Sequence, residues 1–169
     1  ALCLAESEEA SPREVAAVLR ECIDDLRLTI DSLESTDHEL LPALGNFRYR
    51  IEGRLRALGI ELEWRVNDLP ALPYLSARTL LHILRILQEA FANVLKHAVA
   101  TRIRLETGVA PGERRVFIRV SDDGKGFAPT DVQGRGLGNM ARRAASIGGE
   151  LRLSSSAEGT TVELWLPSA

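Results

Sequence analysis

The sequence predicts an α+β domain in two layers, an α/β sandwich with one sheet and its helices on one face. Two observations lead there. Apolar residues recur at helical spacing through most of the first 98 positions and at period two through most of the rest. A single further helical pattern, from about Leu137 to Ile147, is inserted into that strand-rich half. At 169 residues with 45% apolar content, the chain can bury one core and carry an appended element.

The elements follow in order. Residues 11–35, "SPREVAAVLRECIDDLRLTIDSLES", read as an N-terminal helix. Ser11 can cap it, Pro12 suits the first turn, and Glu14 completes a capping box. Val15, Val18, Leu19, Cys22, Leu26, Ile30 and Leu33 form its apolar stripe. With little sequence after it to pack against at once, that stripe is expected to dock on the domain or pair with another helix. A second helix is expected from about Leu40 to Leu58, stopped by Gly59. "IELEWRV", 60–66, alternates as a strand does, and "LPALPY" is a proline-punctuated connection. The strongest helix runs from Ser76 to about Ala98. Strands are expected at 101–107, 115–122, 150–155 and 160–166, with "APGE" turning the first two into a hairpin. The inserted helix should stop at Gly148-Gly149.

Composition narrows the function. A net charge of −3 gives no general reason to expect nucleic acid as a partner. Cys3 and Cys22 match no metal-ligand spacing and are too few for a disulfide framework, which fits a reducing, cytoplasmic setting. The apolar run Leu80–Val94 is broken by His82, Arg85, Gln88 and Glu89, so it is no membrane span. The chain starts without Met and without a secretory signal. It is expected to be a piece of a longer protein, in which a membrane anchor could lie in other segments.

Three stretches carry candidate chemistry. "QEAFANVLKHA", 88–98, places Ile83, Leu87, Ala90 and Val94 on one helix face and Glu89, Asn93, Lys96 and His97 on another. A solvated polar side explains that arrangement adequately. However, Asn is a poor helix former, and Asn93 sits in mid-helix between an acid and two bases. Such a stripe could hold a divalent cation and a polyphosphate. "SDDGKGF", 121–127, is a strand end running into a turn, with Asp122 interrupting the apolar alternation. A carboxylate there costs desolvation energy unless something donates to it, and a purine exocyclic amine is one such donor. Gly124 and Gly126 allow a sharp turn and close approach of a flat ring, although ordinary turns contain the same pattern. "GRGLGNM", 134–140, is a glycine-rich loop opening into a helix, a ready anion site that is neither a Walker loop nor a dinucleotide fingerprint. Arg135 could reach phosphates or simply be solvated.

Taken in order, the three stretches resemble the N, G1 and G2 boxes of the ATP-binding domain of sensor histidine kinases, within the GHKL (Bergerat-fold) superfamily. "EGT" and the closing "GGELRLSSSAEGTTVELWLP" resemble its final hairpin, and "GLGNMARRA" is similar to the nitrate-sensor-type subfamily. The resemblance covers about residues 38–167. It implies a mixed, mainly antiparallel sheet covered by helices and binding of ATP with Mg²⁺. By the same resemblance Asp122 would accept the adenine amino group and Asn93 would bind Mg²⁺. Glu89 would orient water or the metal or assist proton removal, and Lys96 and His97 would sit near the phosphates. Gly124 and Gly126 would flank the base. Gly134, Gly136 and Gly138, with Leu137, would form the lid hinge, and Thr160 would support the adenine end. The lid is short, since only "APTDVQ" lies between the glycine boxes.

The resemblance further implies transfer of the γ-phosphoryl group to a histidine on a dimerisation helix, then relay to a response regulator receiver domain. Residues 1–36 would be the second helix of a homodimeric helical hairpin, and 37–169 the catalytic domain. No acceptor histidine is recognisable: His38 precedes Glu39 as acceptors precede an acid, but it lies beside Pro42 with no long helix before it. The acceptor is therefore expected on a helix outside this chain. An anti-sigma-type serine kinase on the same fold is the alternative, and a nucleotide-free interaction module is a third reading.

Overall fold

A computed structural model describes residues 15, 16, 19, 23, 26, 39–110, 112, 114–127 and 135–168. Of the helix expected at 11–35, Val15, Ala16, Leu19, Ile23 and Leu26 are described, and all five are helical. Leu19, Ile23 and Leu26 are 50%, 46% and 64% exposed. Cys3, Cys22, His38 and Gly134 lie outside the described residues.

From residue 39 onward the order is α1 (Leu40–Ala57), β1 (Glu61–Arg65), α2 (Ala77–Asn93) continued by a π-turn (Val94–Ala98), β2 (Arg102–Val109), β3 (Arg115–Asp122), α3 (Arg135–Ser146), β4 (Glu150–Ser156) and β5 (Gly159–Pro167). The strands form one mixed sheet in the order β1-β2-β3-β5-β4. β1 and β2 run parallel, and the other three pairings are antiparallel. The expected mixed, mainly antiparallel sandwich is thus the observed one.

Alternation decides which face is buried. Ile103 and Leu105 on β2, Val116, Ile118 and Val120 on β3, and Leu164 and Leu166 on β5 are nearly inaccessible. They meet Leu80, Ile83, Leu84, Leu87 and Phe91 of α2, Leu44, Phe47 and Leu55 of α1, and Met140 and Ala144 of α3. Phe47 meets Phe91 edge-on at 5.4 Å between ring centroids, joining α1 to α2. Ser76 caps α2 by accepting the Thr79 N–H at 3.2 Å, from an extended backbone.

The opposite face carries the alternate residues as a charged ladder. Glu63 faces Arg104 across β1 and β2, and Arg119 lies between Glu106 and Glu163. Arg115 and Arg152 share Glu150 and both lie over the Trp165 ring. Direct cross-strand pairing of opposite charges suits a sheet with one solvated side.

Candidate functional site

Asp122 ends β3 on the inward face, in line with Val116, Ile118 and Val120. The strand delivers a half-buried carboxylate to the edge of the core, where an apolar residue would continue the pattern. Its Oδ1 accepts the Gly124 N–H at 2.9 Å. Burial pushes the Asp122 carboxyl above the ordinary aspartate range, and the neighbouring Asp123 charge adds to this; the Gly124 and Thr160 backbone N–H groups pull the other way without prevailing. The carboxylate is therefore under-solvated and retains capacity for a further donor.

It lines a cavity of about 600 Å³ between the end of α2, the β3 turn, the start of α3 and the β4–β5 hairpin. The walls are partly apolar, from Ala90, Val94, Val120, Leu137, Leu153 and Val162. Asn93, Lys96 and His97 line the same cavity from α2 and its π-turn. Gly126, Gly136, Leu137 and Thr160 complete the set of expected residues found there.

The turn needs its glycines for two different reasons. Gly124 passes so close to Ala98 that a Cβ would overlap the Ala98 carbonyl oxygen. Gly126 has φ +57° and lies against the Ser156 carbonyl, which leaves no room for a side chain.

Three of the expected residues, Glu89, Gly124 and Gly138, are not among those that line the cavity. Glu89 does not line the cavity; its carboxylate packs against Gly136, where a Cβ would overlap it. Gly136 and Gly138 lie in the first turn of α3, which begins two residues before the Leu137 start that the pattern suggested. Gly138 has open space around it.

The end of α2 also departs from a regular helix. Val94–Ala98 form a π-turn, a feature often found at functional sites, and Val99 follows with φ 54°. A β-branched residue rarely adopts that left-handed backbone.

Sequence reasoning missed three contributors. Lys125 and Phe127 line the cavity. Ser155 joins hairpin to turn: its Oγ accepts the Phe127 N–H at 2.9 Å and lies 3.0 Å from the Thr160 hydroxyl. Ser155 continues the period-two positions of Leu151 and Leu153, so a polar residue in an apolar series was the available signal.

Among the described residues no three His, Cys, Asp or Glu side chains are grouped to hold a metal ion. One amide, Asn93, lines a cavity that also holds three basic residues, Lys96, His97 and Lys125. That donor set fits a Mg²⁺ ion held mainly by phosphates and water, and does not fit an all-protein cage. A second cavity, about 530 Å³, opens on the charged face of the sheet. Its Arg104, Glu106, Arg119 and Glu163 are engaged in ion pairs, which leaves the first cavity as the candidate site.

Residues 79–169 match the family of histidine kinase-, DNA gyrase B- and HSP90-like ATPases. The chain is 33% identical over 111 residues to the sensor histidine kinase LiaS of Bacillus subtilis, covering 64% of this chain and 29% of that protein. It is 36% identical over 160 residues to the nitrate/nitrite sensor protein NarQ of Escherichia coli, covering 89% of this chain and 25% of that one. The chain thus spans about a quarter to a third of the length of these relatives. The histidine kinase domain of the Erythrobacter litoralis blue-light activated histidine kinase shares the fold, with a TM-score of 0.69 at 19% identity over 86% of this chain and 72% of that one.

Proposed function

The chain belongs to the histidine kinase-, DNA gyrase B- and HSP90-like ATPase family, and from that premise we propose that it is the catalytic ATP-binding domain of a two-component sensor histidine kinase. A neutral imidazole nitrogen of an acceptor histidine attacks the γ-phosphorus of ATP. The bond to the β–γ bridging oxygen breaks, and ADP leaves. Imidazole needs little activation, so the domain's contribution is positioning and charge neutralisation.

The observation that carries this reading is the Asp122 carboxylate, half-buried at one wall of a cavity that Asn93, Lys96 and His97 also line. Asp122 accepts the adenine amino group. Gly124 and Gly126 let the base approach the backbone, and Thr160 supports that end through its N–H and hydroxyl. Lys96 and His97 attract the phosphates. Gly134, Gly136, Leu137 and Gly138 form the base of the short lid. Asn93, together with the phosphates, would hold Mg²⁺, which would supply charge neutralisation at the transferring group. Glu89 assists the acceptor's proton loss or orients water once its carboxylate leaves Gly136.

Residues 1–36 are assigned to a dimerisation helix. The apolar, exposed Leu19, Ile23 and Leu26 on helical backbone support that assignment. The whole protein then works as a homodimer that passes the phosphoryl group to a response regulator receiver domain. The domain itself faces the cytoplasm; no helix among the described residues is long and apolar enough to cross a membrane.

The test is incubation with γ-labelled ATP and Mg²⁺, with and without an acceptor-bearing helix supplied in trans. Nucleotide binding is expected in both cases and label on the acceptor histidine in the second. Label on serine, or no nucleotide bound at all, refutes the proposal.

A further inference from the structure

Two aspartates stand side by side before Gly124, and the structure gives their carboxylates different partners. Asp122 lines the inner cavity, whereas Asp123 is exposed and turned toward the start of β2. There Asp123 accepts three hydrogen bonds. Its Oδ1 takes the N–H groups of Thr101 and Arg102, each at 2.8 Å. Its Oδ2 takes the Thr101 hydroxyl at 2.7 Å. The Asp123 N–H returns to the Arg102 carbonyl at 3.3 Å, and the Thr101 carbonyl accepts the Glu61 N–H at 2.9 Å. Chiefly through the Thr101 hydroxyl, these donors hold the Asp123 carboxyl below the ordinary aspartate range, so it is charged at neutral pH.

The bonds join two pieces of chain that flank the site. One is the reversal from Ala98 to Thr101, which leaves the π-turn through the left-handed Val99, 83% exposed. The other is the turn from Asp122 to Lys125. A second tie lies at the far end, where the Lys125 N–H donates to the Ala98 carbonyl at 2.9 Å. Ala98 and Val99 line the cavity on one side, and Asp122 and Lys125 line it on the other. Val99 has little packing of its own to keep its strained backbone in place, so the fastening comes from these ties.

We propose that Asp123 is a positioning residue for nucleotide recognition: its carboxylate clamps the Ala98–Thr101 reversal against the Asp122–Lys125 turn and so sets the width of the base-binding end and the aim of the Asp122 carboxylate. The assignment rests on the ATP reading above and extends it to a residue that faces away from that cavity.

The test is a double-mutant cycle on the 169-residue chain, reading ADP affinity by NMR titration to millimolar ligand, with Tm recorded alongside. Asp123→Ala is expected to weaken ADP about tenfold in the wild-type background and less than about twofold on top of Asp122→Asn, because one residue acts through the other. Asp123→Asn should recover most of the affinity, since its amide oxygen still accepts both N–H groups and its NH₂ can donate to the Thr101 oxygen. If Asp123→Ala does not fold, Thr101→Val, which removes only the hydroxyl bond, gives the same comparison with an expected loss of about threefold. Wild-type affinity in Asp123→Ala or, where that variant does not fold, in Thr101→Val, or equal losses in both backgrounds, overturns the assignment while leaving the ATP reading intact. A wild-type chain that binds no ADP overturns both.

Discussion

Asp122→Asn changes one atom and separates stability from binding. The Asp122 carboxylate has two acceptor oxygens, of which Oδ1 already takes the Gly124 N–H at 2.9 Å. The amide has only one oxygen. If that oxygen keeps the Gly124 bond, the NH₂ is left facing both the Thr160 N–H and the ligand, and a donor then faces the adenine donor. Losing a hydrogen bond to a charged acceptor costs about 1.5–3 kcal/mol, or roughly 10- to 150-fold in Kd. Folding stability should move the other way. Asp122 has a raised folded-state pKa, so its stabilising contribution is complete below the unfolded pKa and is lost as pH rises through the folded one. At neutral pH the ionised group opposes folding, and the neutral amide removes that opposition. Calorimetric titration with ADP and Mg²⁺, paired with thermal unfolding at pH 7, measures both effects. An unchanged Kd, or a Kd loss accompanied by a clear fall in Tm, would refute the reasoning.

Adenine nucleotide affinity should fall as pH drops through the raised folded pKa of Asp122, because the protonated acid no longer offers a free acceptor; a pH series of ADP titrations checks this, and a flat profile contradicts it. Gly126→Ala places a side chain at φ +57° and into the Ser156 carbonyl, costing about 1–3 kcal/mol from the backbone alone, visible as a lower urea midpoint. Ser155→Ala leaves the Phe127 N–H without its acceptor, with an expected cost of about 1–3 kcal/mol and faster amide exchange at Phe127. On the charged face, Arg152 first and then Arg115 hold Glu150 down to about 2, so its stabilising contribution exists above the ordinary glutamate value and is lost as pH falls toward 2. Both arginines lie over Trp165, so its fluorescence should report that titration and lose the transition in Glu150→Gln.

Period and punctuation made the elements legible. Alternation at 115–122 marked the inward face of β3, and Asp122 was conspicuous because it broke that series. Ser76 announced the start of α2, and its cap bond is present. Relations between elements were not legible in the same way. A helical wheel put Glu89 on one stripe with Asn93, Lys96 and His97, but a wheel knows nothing of α3, whose Gly136 takes up the Glu89 carboxylate. The wheel also assumes a constant step, and the π-turn at Val94–Ala98 changes the step within the motif. Gly136 and Gly138 read as loop residues from propensity, yet they start a helix whose first turn passes close to α2. The clamp at Asp123 depends on the end of β3 lying beside the start of β2, where Ile103 pairs with Asp122, and no local pattern encodes that register.

The central claim is that the inner cavity receives adenine at Asp122. A crystal structure with a non-hydrolysable ATP analogue and Mg²⁺ tests it most directly. The account predicts the purine amino nitrogen within about 2.6–3.2 Å of an Asp122 carboxylate oxygen, with the phosphates running toward Asn93, Lys96 and His97. A purine bound on the charged face of the sheet, or in the inner cavity with Asp122 turned away from it, would contradict it.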